Sequence, residues 1–119
     1  MYSSQVLDHF QEPRNAGEVP NPDVRVRVQN PACGDILELT AKVENGVIAQ
    51  IRFRAKGCVP AMACASLLTE IVAGKTLLEI GGLTREDLVQ QIGGLPAASG
   101  HAGHLAWDAL RALLEKVQL

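Results

Sequence analysis

Val24-Arg25-Val26-Arg27-Val28-Gln29, then Leu37-Glu38-Leu39-Thr40-Ala41-Lys42-Val43, then Val47-Ile48-Ala49-Gln50-Ile51-Arg52-Phe53 are the stretches that decide the fold of this chain. Val24, Val26 and Val28 alternate with Arg25, Arg27 and Gln29, and Leu37, Leu39, Ala41 and Val43 alternate with Glu38, Thr40 and Lys42. A period of two is the mark of a strand with one buried face. Asn45-Gly46 supplies the positive φ angles of a tight hairpin, after which Val47, Ala49, Ile51 and Phe53 continue the apolar face. The expectation is a three-stranded antiparallel meander with Arg25, Arg27, Arg52 and Arg54 on its outward face. That face reads as solvated, as half-exposed antiparallel sheets usually are; docking of an acidic partner is the alternative.

Working outward, Val6, Leu7 and Phe10 share one side of a short helix from Ser3 to Gln11, ended by Pro13 and Gly17, and Val19 to Pro22 reads as a linker. Beyond the third strand, Gly57-Cys58-Val59-Pro60 opens a helix running to Ala73, with the proline suited to its first turn and Gly74 as its stop. Thr76 to Gly81 and Thr84 to Ile92 form two shorter helices, the second capped by Thr84. Gly93 to Gly100 is a loop, and the last helix carries Leu110, Leu113, Leu114 and Val117 at helical spacing. Strands first and helices afterward predict an α+β fold, with the helices packed on one face of the sheet. No repeat or linker divides residues 1–119, which read as one domain.

The chain is 47% hydrophobic but only 3% aromatic, so aliphatic side chains must fill the core. A net charge of −2 gives no reason to expect nucleic acid, whose binding depends on neutralising phosphates with Lys and Arg. Three cysteines without a preceding signal-like segment point to a reducing, cytoplasmic setting. No apolar run approaches the roughly 20 residues that span a bilayer, so no membrane partner is expected.

Three separated patches hold metal-ligating residue types: Pro31-Ala32-Cys33-Gly34-Asp35, Gly57-Cys58 and His101-Ala102. Cys33 falls in the loop between the first two strands. Cys58 ends the third strand at a helix entrance, where free N–H groups and the helix dipole favour a thiolate. A meander brings that loop and that strand end to one sheet edge, so Cys33 and Cys58 either share a site or are two unrelated cysteines. Cys64, among alanines inside the helix, reads as a small core residue. His101, His104 and Asp108 share a helix face, a weak metal signal that capping or surface hydrogen bonding explains as well. Trp107 reads as packing. No phosphate loop, serine elbow or paired catalytic carboxylates stand out, and the chain is not read as an enzyme; Glu86-Asp87 suits a helix first turn.

Taken in order, Tyr2, Val6-Leu7-Asp8-His9-Phe10, Pro13-Arg14-Asn15-Ala16-Gly17, Asn30-Pro31-Ala32-Cys33-Gly34-Asp35, Lys56-Gly57-Cys58, Ala61 and Ser66-Leu67-Leu68-Thr69-Glu70 resemble the motifs of the IscU/NifU-type iron-sulfur cluster assembly scaffolds. The resemblance implies a scaffold on which iron and sulfide are assembled. Sulfur would come as persulfide from a cysteine desulfurase, and the cluster would pass to apo iron-sulfur acceptor proteins. It implies Cys33, Asp35, Cys58 and His101 as ligands, with iron or a labile [2Fe-2S] cluster as cargo and zinc as another ion the site could take.

Two departures from the family pattern stand out. The last helix of the family is entered through His-Cys, and here the pair is His101-Ala102, so one thiolate is missing. Clusters are held mainly by thiolates, and Cys64 and His104 are the conceivable replacements. The family segment Leu-Pro-Pro-Val-Lys, served by a dedicated Hsp70-type chaperone, is here Leu95-Pro96-Ala97-Ala98-Ser99; without the lysine, the resemblance does not extend to that chaperone. The long insertion of the SufU-like branch is also absent. The competing readings are a relative that no longer assembles clusters, acting as a metal carrier or a regulatory binder of the desulfurase, and a sulfur transferase using Cys58.

Overall fold

The structure is a computed structural model that describes residues 2–31, 34–96 and 99–117. Strands β1 (Val24–Gln29), β2 (Ile36–Glu44) and β3 (Val47–Lys56) form one antiparallel sheet in the order β1-β2-β3. Helix α1 (Ser4–Gln11) precedes them, and α2 (Val59–Val72), α3 (Leu77–Gly81), α4 (Arg85–Gln91) and α5 (Gly100–Val117) follow. Helix α5 packs across β1 and β2, α2 packs against β3 and α5, and α1 lies on α2. The α+β architecture expected from the alternation is the one observed. No helix among the described residues is long and apolar enough to cross a membrane.

Asn45 and Gly46 both adopt positive φ, 53° and 75°, and close the β2–β3 hairpin as their types require. The apolar face of β3 differs from the expectation. A bulge between Lys42 and Val43 pairs Lys42 with Gln50 but Val43 with Ile48. The extra residue on β3 reverses its facing, so Ile48 is fully buried and Ala49 is exposed. Alternation alone cannot show where a strand carries one residue more than its partner.

Two further expectations are corrected. Val6 and His9 form the buried face of α1, whereas Leu7 and Phe10 are exposed. The reason lies in α2, which offers α1 a polar seat: His9 Nδ1 meets Ser66 Oγ at 2.8 Å, and the Arg14 N–H donates to the same hydroxyl oxygen at 2.8 Å. Burial, reinforced by the Arg14 charge, holds the His9 imidazole below its ordinary pKa, while Glu70 and Asp8 oppose this. Val19, expected in a linker, is fully buried, and its N–H donates to Thr40 Oγ1 at 2.9 Å on the outward face of β2.

The stretch before β1 is therefore a strap. Asn15 and Gly17 hydrogen-bond to both backbone groups of Phe53, while Gly74 and Lys75 bond to those of Ile48. Together these two segments cover the free edge of β3, which would otherwise invite pairing with another chain.

Candidate metal centre

Strand register creates the site. Ile36 pairs with Lys56, so the residues just beyond this pair, Asp35 and Gly57-Cys58, meet at one end of the sheet. The β1–β2 loop is pinned there: the Asn30 N–H donates to the Asp35 carbonyl and the Gly34 N–H to the Asn30 carbonyl, each at 2.8 Å, with Gly34 at φ +78°. Cys58 is the N-cap residue of α2. His101 comes from the first turn of α5 and reaches the same point.

Cys58 Sγ lies 3.5 Å from Asp35 Oδ2 and 3.6 Å from His101 Nε2, and the latter two atoms are 3.8 Å apart. Donors on a tetrahedral ion with bond lengths of about 2.0 to 2.3 Å sit about 3.3 to 3.8 Å from one another. The three atoms thus already have the spacing of one face of such a tetrahedron. Among the described residues they form the one group of three metal-ligating side chains. The Asp35 side chain retains 12% of its exposure and His101 34%, so the site is sheltered yet reachable.

Cys33 lies outside the described residues, as do Ala97 and Ala98 of the Leu95–Ser99 segment. Neither Cys64 nor His104 joins the three donors. Cys64 is fully buried, and burial chiefly pushes its thiol up to about 12, consistent with a core role. His104 and Asp108 are exposed on α5. Trp107 is half-buried and, with Leu68, Leu88 and Leu110, lines a cavity of about 10 Å³, which fits packing.

The expected Cys58 thiolate needs correction. Burial pushes the thiol up, and Asp35 beside it adds to the rise through its charge and hydrogen bond; the Ala61 backbone N–H in the first turn pulls the other way without prevailing. The helix entrance is too weak to compensate for desolvation next to a carboxylate. A divalent cation would reverse this balance, since thiolates are the ligating form and binding displaces the proton.

Gly57 is a site residue that motif reading alone did not explain. A Cβ built there would stand 2.6 Å from Asp35 Cγ and within 2.9 Å of both carboxylate oxygens. Glycine is needed here because the carboxylate packs directly onto its Cα. Gly57→Ala is expected to displace Asp35 and weaken cobalt binding about 10- to 100-fold, the range for losing the support of a ligand, while leaving the circular dichroism spectrum intact. Unchanged cobalt affinity would show that the carboxylate contributes nothing to binding.

The NifU-like N-terminal domain model matches residues 1–118. An iron-sulfur cluster assembly scaffold protein IscU of Archaeoglobus fulgidus is 43% identical over 111 residues, covering 93% of this chain and 72% of that protein. The scaffold protein IscU of Escherichia coli K12 is 40% identical over 117 residues, covering 95% and 91%. Among solved structures, an N-terminal NifU-like protein from Brucella abortus superposes with a TM-score of 0.79 at 18% identity over 98% of this chain and 93% of that one, a likeness of fold. With the family model spanning nearly the whole sequence and the relatives matching most of theirs, this chain belongs to the NifU-like N-terminal domain family.

Proposed function

We propose that this protein is an iron-sulfur cluster assembly scaffold that receives iron at Asp35, Cys58 and His101, with Cys33 as the fourth ligand. The observation that carries the reading is the mutual spacing of the three donors, 3.5 to 3.8 Å, in a family whose relatives bear the scaffold name. Carboxylate, thiolate and imidazole together form a mixed hard and soft set suited to iron or zinc. Iron and sulfide are cargo here, held and handed on. The partners that fit this role are a cysteine desulfurase as sulfur donor and apo iron-sulfur proteins as acceptors.

Cys58 is the described thiol at the site and the candidate sulfur acceptor. Its thiolate would attack the outer sulfur of a donor persulfide; the donor S–S bond breaks, the donor leaves as a thiolate, and Cys58 carries the persulfide. Asp35 and His101 flank the sulfur and are placed to accept and hold its proton. Sulfur uptake without turnover is the behaviour of a carrier and not of an enzyme.

Anaerobic reconstitution with ferrous iron and sulfide tests the reading. Expected are iron, acid-labile sulfide and visible absorption that comigrate with the protein and decay on exposure to air. A colourless protein that takes up zinc but never sulfide would overturn cluster assembly in favour of metal carriage.

A further inference from the structure

The charge of this chain is segregated. Although it carries 13 acidic and 11 basic side chains overall, the outward sides of the strands bear Arg25, Arg27, Lys42, Arg52, Arg54 and Lys56, answered by Glu38 and Glu44 from β2 and Glu18 from the strap. Glu18 is committed to Arg25 and Arg54, and Glu38 to Arg25. Among the described residues, no carboxylate forms an ion pair with Arg27, Lys42 or Lys56.

The strap crosses this face at Thr40 and leaves open the end beside the metal centre. There Arg27, Arg54 and Lys56 wall a shallow recess of about 280 Å³, with Glu38 between them and Ile36 and Ala55 supplying apolar surface. Ile36 directly follows Asp35, and Lys56 is two residues before Cys58. Whatever fills the recess stands next to the metal ligands.

The geometry points to an acidic, extended protein segment as the occupant, a proposal that rests on the scaffold reading only in taking the visitor to be a protein that exchanges cargo at the site. Arg54 and Lys56 are two residues apart on one strand, about 6.8 Å, the repeat of alternate side chains on any extended peptide. Arg27 and Arg54 lie on either side of β2 at the Glu38 register, about 9.6 Å apart. These backbone positions are spread along one strand and across two strand spacings, which suits several separated anions better than one phosphate. A nucleic-acid strand needs an uninterrupted cationic track, and Glu38 and Glu18 break it. Carboxylates at alternate positions of an extended peptide share one of its faces and meet the cations separately, while their methylene stems cover Ile36 and Ala55.

The test uses the full chain and a fluorescein-labelled Glu-Val-Glu-Thr-Glu-Val-Glu peptide, read by anisotropy at low salt and by amide chemical shifts. Binding is expected to move the amides of Arg27, Ile36, Arg54, Ala55 and Lys56. Arg27→Glu should weaken it by about tenfold or more, and added salt should weaken it too. Lys75→Glu and Arg111→Glu, which remove cations elsewhere, should change it less than twofold. Shifts spread over the surface, equal sensitivity to Lys75→Glu, or preferential binding of a charge-matched oligonucleotide would overturn the proposal. So would sedimentation showing that Arg27→Glu dissolves a dimer of this chain, which would make the occupant a second copy. Cobalt binding measured on the same samples separates the two readings: absent peptide binding with cobalt binding intact rejects the docking face alone, and lost cobalt binding with peptide binding intact rejects the metal centre alone.

Discussion

Cys58→Ser is expected to lower cobalt affinity by more than about a hundredfold, beyond the 10- to 100-fold that losing an outer-shell partner costs, and to cut the sulfur-to-cobalt absorption band to what Cys33 alone supplies. Cys58 Sγ touches both other donors, so its loss removes the atom that joins Asp35 and His101 into one coordination face. The fold should survive, because Cys58 stands at the N-cap of α2, a position serine fills at least as well. Cys64→Ser is the contrasting variant: it places a hydroxyl in a fully buried position, lowers stability and leaves the absorption band in place. Retention of the full band intensity in Cys58→Ser, or a loss of intensity in Cys64→Ser with the fold intact, would reassign the ligand.

Ala102→Cys should act in opposite directions on the apo protein and on its cargo. The side chain of Ala102 is fully buried, while that of its neighbour His101 reaches the site, as expected for successive residues about 100° apart around a helix. A thiol at 102 would therefore start from a filled, buried position beside His101. Adding a sulfur atom to a filled position costs about 1 to 3 kcal/mol. The apo variant should thus melt earlier, with a thiol that reagents reach slowly. A cluster offers that thiol a soft metal partner, and drawing it outward should lengthen cluster lifetime and raise yield on anaerobic reconstitution. A variant that is destabilised but holds no more cluster than the wild type would show that the first turn of α5 does not yield, and that the missing thiolate does not limit binding.

Much of the candidate site was legible because the residues that form it are punctuation residues. Pro31, Gly34, Gly57 and Pro60 mark the ends of strands and the start of a helix, and chemistry-bearing residues beside such breaks are displayed at the ends of elements. The meander then forces the β1–β2 loop and the end of β3 to the same edge. His101 was less legible: nothing local to α5 says that its first turn returns to that edge, and only the resemblance singled it out from His104. The role of Gly57 was hidden altogether, because a steric requirement imposed by Asp35, 22 residues away in sequence, leaves no local pattern.

The same division runs through the fold. Alternation of apolar and polar residues, the Asn45-Gly46 turn and the Thr84 cap are short-range effects, so the sequence by itself determined the strand order, the hairpin and where α4 begins. The side of β3 carrying Ile48, the burial of Val19 and the inward turn of His9 depended on partners from distant segments: the bulge opposite Lys42, the Thr40 hydroxyl, and Ser66 on α2. Only tertiary structure decides these, because a buried polar group is tolerated only where another element supplies its hydrogen bond, and that partner is chosen by packing and not by neighbours along the chain.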